Sequence, residues 1–167
     1  MGALLMSEST PTTQTEQLLE AMRTRLQESF GKALMVELFP ENPVGYRLNH
    51  PRGAILLAYG KSTFGGSEAG DSIFQARNIV IRLTLVFRQL NGKDGVVSYL
   101  DQIRTCLTGW FAPHCDQACR PIAEHFIGQM AGLWQYGQDF SVRATQLQAP
   151  YPSGPPVPPN LQYEEPL

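Results

Sequence analysis

The residues in this sequence able to do chemistry fall into four groups. Gly60-Lys61-Ser62 follows an apolar run, as a phosphate-binding loop does. That loop needs a second glycine five positions before the lysine-preceding one, and position 55 is Ile55; Gly53 stands two residues too early. Thr63-Phe64-Gly65-Gly66 follows in place of a helix, so the stretch reads as a glycine-rich loop. His114, Cys115, Cys119, Cys106 and His125 supply zinc-type ligands. C-x-x-x-C without a second pair at motif spacing is the ordinary pattern of unrelated thiols, and Cys106 sits beside an apolar helix stripe as a small core residue would. Cys115 or Cys119 with His114 or His125 would make a nucleophile–base pair. Adjacent residues on extended chain point apart, however, and no oxyanion-type glycine loop stands nearby. Glu124, His125 and Asp139 offer acid–base groups, but they fall where a strand would carry solvated side chains. No catalytic, cofactor or metal motif stands out, and the reading is of a protein that is not an enzyme.

Two further groups concern binding. Trp134, Tyr136 and Phe140 share one face at strand spacing. Such a stripe stacks nucleic-acid bases only where basic residues interleave it, and here it reads as core. Arg82 and Arg88 lie on the polar side of a long alternating run. Either they keep the sheet soluble and guard it from edge pairing, or they form a subunit interface; both readings stand.

These groups rest on a chain of strands and helices. Gln75–Leu90 alternates with a period of two, with Ile79, Ile81, Leu83, Leu85 and Phe87 on one side. It predicts a half-buried strand of about 14 residues, or about 46 Å, long enough to overrun a compact body. Leu133–Leu147 predicts a second long strand, with Gly137 marking a bulge or bend. Thr13 and Glu16 form a capping box, and Leu18, Met22, Leu26 and Phe30 make one helical stripe ending at Gly31. Ala33–Phe39 and Gly53–Tyr59 predict strands, the latter buried on both faces. Gly60–Gly70 predicts a mobile loop. Asp94 is placed to cap a second helix through Val96, Leu100, Ile103 and Leu107. An irregular link leads to a strand over 121–130. The sum is an α+β domain over 13–148: a mostly antiparallel, strongly twisted sheet with two long strands, covered on one face by two helices. Residues 1–12 read as disordered and 149–167 as an extended proline-rich tail.

Composition excludes several classes. The formal charge of −2 with scattered arginines argues against a sequence-specific nucleic-acid binder. No stretch approaches the roughly 18 apolar residues of a membrane span. Three cysteines at no framework spacing imply free thiols in a reducing compartment.

The layout resembles the tail-terminator or tail-completion proteins of Mu-like long-tailed phages and prophages. The resemblance runs from about Thr13 to Thr145. It is carried by Ala58-Tyr59-Gly60, the Ile79–Arg88 strand, the helix ending in Leu107-Thr108-Gly109, and Trp134, Tyr136 and Phe140. The proline-rich end and the Cys115/Cys119 segment depart from it. It implies a homohexameric ring, built in the host cytoplasm, that caps the tail tube at the head-proximal end of the virion. Its partners would be further copies of itself, the tube protein, the sheath where the tail has one, and the head–tail connector, with no cofactor and no membrane. Arg82, Arg88, Lys61 and Phe64 are then the candidate interface residues. The alternatives are another small connector or baseplate component, or a small cytoplasmic ligand-binding domain or enzyme using the Gly60–Gly70 loop.

Overall fold

The computed structural model describes residues 13–150; the readings made for 1–12 and for the tail beyond 150 fall outside them. The elements run α1 (Gln14–Phe30), β1 (Met35–Leu38), a 3-10 turn (Pro43–Gly45), β2 (Gly53–Phe64), β3 (Phe74–Phe87), α2 (Val96–Leu107), β4 (Cys115–Met130) and β5 (Leu133–Leu147). The five strands form one sheet in the order β1-β2-β3-β5-β4. Only β1 and β2 pair in parallel; the rest is antiparallel, the α+β arrangement that the alternation predicted.

Each helix forms for a local reason. Thr13 and Glu16 make the capping box reciprocally, which satisfies two of the amides that a helix start leaves free. Leu18, Met22, Leu26 and Phe30 are buried against the sheet. At α2 the expected cap is absent. Gly95 is the N-cap with no side-chain bond, and Asp94 pairs instead with Arg52 at 3.2 Å. Backbone carbonyls do the capping: Val96 N donates to Gln89 O and Val97 N to Leu90 O. That turn brings Leu90 O and Asn91 O within 2.5 Å of where a Cβ on Gly95 would stand, so only glycine fits.

The main core lies between the helices and one sheet face. Ile79, Ile81, Leu83, Leu85 and Phe87 of β3 are all buried there, with Ile55, Leu57, Phe140 and Val142 beside them. Burying a side chain of this size stabilises by about 1.5–3 kcal/mol, so this strand face is a major contributor to the fold. On the opposite face Ala54, Leu56 and Val86 form a small second cluster. Tyr46 and Leu48, from the segment after the 3-10 turn, cover it with Met35 and Leu133.

Two boundaries and the role of one glycine differ from the sequence reading. β2 runs through Gly60 to Phe64, so the first part of the expected loop is strand. It continues because Gly60 is the extra residue of a bulge: Tyr59 pairs Ile81 and Lys61 pairs Val80. β4 begins at Cys115, within the expected link. Its alternation is illegible because four register shifts interrupt it, moving helix-side positions from odd (Cys119, Pro121) to even (Glu124, Phe126) numbers. Gly137 marks no bulge, being paired regularly with Thr84 and His125. It allows a close approach instead: a Cβ there would lie 2.4 Å from the His125 ring.

Candidate assembly interface

β1 covers only residues 54–57 of β2, and Phe39 N adds one bond to Leu57 O. From Ala58 to Phe64 the outer side of β2 meets no other strand among the described residues. At the strand's end Gly65 N donates inward to Ala76 O. Antiparallel pairing alternates, so Thr63 and Lys61 bond to β3 while Ser62 and Phe64 turn their amides outward. Residues opposite one another on a ladder share a face. Lys61 therefore lies with Val80 on the face away from the helices, and Phe64 lies with Arg77 on the helix side. Both are exposed, Phe64 at 54%.

The exposed edge is braced from within. Arg77 donates to Ser62 Oγ at 2.9 Å and to Thr15 Oγ1 of α1 at 3.0 Å, and it lies over the Tyr59 ring. Tyr59 donates to Ser62 Oγ at 2.6 Å; that bond, then the one with Arg77, draws its phenol below the ordinary range. The segment is thus presented as a stiff strand rather than as a loop.

The opposite sheet edge is β4. It carries exposed Ile122, Phe126, Ile127 and Met130, the last at 72%. Phe126 also packs on Trp134 and Tyr136, so of the expected aromatic core stripe only Phe140 is fully buried, while the other two are part of a half-exposed cluster. Pro121 and the register shifts break this edge into short pieces, which discourages indiscriminate strand pairing.

Arg82 and Arg88 both have partners inside the chain. Arg82 holds Asp139 through two bonds, Nε–Oδ1 at 2.8 Å and Nη2–Oδ2 at 3.0 Å, across the β3–β5 ladder. Hydrogen bonding and charge from Asp139 raise the guanidinium's pKa further. Arg88 donates to His50 O and Leu48 O, tying the 48–51 segment to the end of β3. Lys61 and Phe64 lie near one end of the β2–β3 hairpin and Arg88 beyond the other, so the four candidates do not form one patch.

The chemical candidates are dispersed or engaged elsewhere. Lys61-Ser62 is extended strand, not a turn opening a helix, and cradles no phosphate. Cys119 is buried, and loss of solvent pushes its thiol up to about 12. Burial also raises Cys115. Cys106 Sγ lies 3.3 Å from Ser29 Oγ, and His114 Nε2 lies 2.7 Å from Gln17 Oε1. Among the described residues no three His, Cys, Asp or Glu side chains converge on a possible metal position. Glu124 is exposed but lies on the helix side, opposite Gln138, where it has partners. It accepts from Arg104 and from Gln138 Nε2 at 2.8 Å, and Gln138 also donates to Leu100 O of α2. Glu124 is the first cause of a raised Arg104 pKa. This Gln138-centred network ties α2 to β4 and β5. The alternation that exposed the Trp134–Phe140 stripe also placed Gln138 in it, and that was the available signal.

Comparison with known proteins gives a family and likenesses among solved structures. The model of the family described as Gp37 protein matches residues 22–165. Among solved structures, a chain in "Virion of native gene transfer agent (GTA) particle" is similar at a TM-score of 0.43 and 10% identity. The alignment covers 81% of this chain and 100% of that one. No curated protein matches. The family match runs through the Cys115–Cys119 segment and into the proline-rich end, so both lie within the family's span. With all but the first 21 and last two residues covered, the chain belongs to the Gp37 protein family.

Proposed function

We propose that this chain is a structural virion protein whose copies join edge to edge into a homohexameric ring, and that the ring ends the tail tube and meets the head connector. The observation that carries the ring is the uncovered Ala58–Phe64 edge of β2. Seven residues of strand, about 23 Å, offer outward amides and carbonyls beside an exposed Phe64. An edge of this kind gains hydrogen bonds by taking a further strand. The facing contribution comes from the apolar pieces of β4, Ile122 to Met130. Because the uncovered part of β2 and the β4 edge lie on opposite sides of one sheet, the contact is head to tail, and a head-to-tail contact gives a ring when its rotation closes. The terminator role follows the resemblance of Ile79–Arg88 and of the Leu107–Gly109 and Trp134–Phe140 elements to tail-terminator proteins. No step in this function asks for a reacting group, a cofactor or a membrane.

The test is tail assembly in its absence and presence. Without the protein, tubes should overrun their normal length and fail to join heads; adding the purified protein should stop growth and restore joining. The Phe64→Pro variant removes an outward amide and should not complement. Normal tube lengths and head joining without the protein, with defects at the baseplate end, would assign it there instead.

A further inference from the structure

A groove of about 590 Å³ runs along the outer side of α1 and is closed by the segment that leads into β4. Gln17, Ala21 and Thr24 line its helix wall; Trp110, Phe111 and Pro113 line the other. Phe111 is 62% exposed, an unusual place for a large aromatic. Arg25 lies over the Trp110 ring at 5.7 Å and donates to Cys106 O, which fixes the indole as a wall. Gln17 engages His114 through Oε1, so its amide NH2 is left to donate elsewhere. A groove lined by aromatic faces with amide donors at its rim is the surface that proline-rich extended segments recognise.

We infer that the chain's own segment Pro155-Pro156-Val157-Pro158-Pro159 docks in this groove as a polyproline II strand. Position favours it. Arg77 and Cys115 are both ladder partners of Ala144, Arg77 reaches Thr15, and His114 reaches Gln17. The Gln17–Pro113 end of the groove is therefore beside Ala144, four residues before Gln148, whose amide bonds to Ile73 O. That separation is about 13 Å of strand. Residues 149–167 reach about 59 Å as polyproline II, and Ser153-Gly154 is a dipeptide at which the chain can reverse. Length agrees as well. From Gln17 to Glu28 the helix wall is about 16 Å long, and five polyproline residues span about 15 Å. Charge favours the proline run over the acidic Glu164-Glu165 end, because Glu20 and Glu28 line the same groove and its cation, Arg25, is already held over Trp110 and on Cys106 O. The family match extends to residue 165 and so includes the segment. A short tether gives an effective concentration of about 1 mM, so even an intrinsic Kd near 0.1 mM keeps the groove about nine-tenths filled.

The test uses full-length protein with Trp134→Phe, which leaves Trp110 as the sole reporter. Acrylamide quenching of Trp110 should rise about two-fold when Pro155, Pro156, Pro158 and Pro159 are all changed to Ser, and by a similar amount in Phe111→Ser. A synthetic peptide of residues 149–163 should restore protection to the proline variant and not to Phe111→Ser. Equal quenching in all three chains overturns the docking. Protection that fades on hundred-fold dilution overturns the same-chain assignment and gives the groove to a neighbouring copy's tail.

Discussion

The Arg82–Asp139 pair should be worth about 1–2 kcal/mol of coupling. Its two bonds are short and parallel, and the carboxylate side chain is only 12% exposed while the arginine is 50% exposed. At about 4 Å between charge centres and an effective dielectric near 20, attraction is about 4 kcal/mol. Solvent around the exposed guanidinium and the desolvation of Asp139 cancel more than half of it. Arg82→Met should cost about 2–3 kcal/mol, because it strands a carboxylate that has left water. Asp139→Asn should cost about 1–2 kcal/mol, since the neutral amide still accepts one bond. The double variant should fall short of the sum by about 1–2 kcal/mol. The assay is urea unfolding of all four proteins at a concentration where light scattering shows one oligomeric state, repeated at high salt. A coupling that shrinks but survives in salt fits a half-buried pair. A coupling below about 0.5 kcal/mol would refute the reasoning and return Arg82 to the surface as a free interface residue.

Other perturbations test other parts of the account. Cys119 is held near 12 in the fold against an ordinary value near 9.0, so the folded state keeps a proton that the unfolded chain loses. Its contribution is complete below about pH 8 and declines as pH rises from 9 towards 12, by up to about 1.4 kcal/mol per pH unit. Cys119→Ala should flatten that alkaline slope in a pH series of unfolding curves, although raised Cys115 and Tyr46 leave some of it. Gln138 is fully buried, with Oε1 unpartnered. Gln138→Met should therefore cost about 1 kcal/mol or less, whereas Gln138→Glu, which sets a buried carboxylate against Glu124, should cost about 3 kcal/mol or more by urea titration. Ending the chain after Gln148 should preserve one cooperative thermal transition, because the described core lies within 13–148.

Much of this architecture was legible in the residues. Ile79 to Phe87 could only be one covered face of a strand, and Thr13 with Glu16 could only serve a helix start. What stayed hidden depended on contacts made at a distance. The bulge at Gly60 is decided by Val80 O, which leaves no room for a Cβ, and nothing near Gly60 in sequence reports that. Asp94 looked like a cap because local spacing cannot show Arg52 claiming it. The β4 register shifts erased the period-two signal that β3 kept intact. The interface candidates Arg82 and Arg88 were chosen by face alone, and face does not disclose that Asp139 lies opposite one and the His50 carbonyl beside the other. The uncovered β2 edge needed the strand order, because it exists only where short β1 stops.

The most direct test is the mass of the purified protein in solution across a wide concentration range, measured by light scattering alongside the Phe64→Pro variant. The proposed ring requires a species six times the 18.5 kDa chain mass, and its loss to smaller species in the variant. A native chain that stays at 18.5 kDa at every concentration, and in the presence of tail tubes, contradicts edge-to-edge assembly.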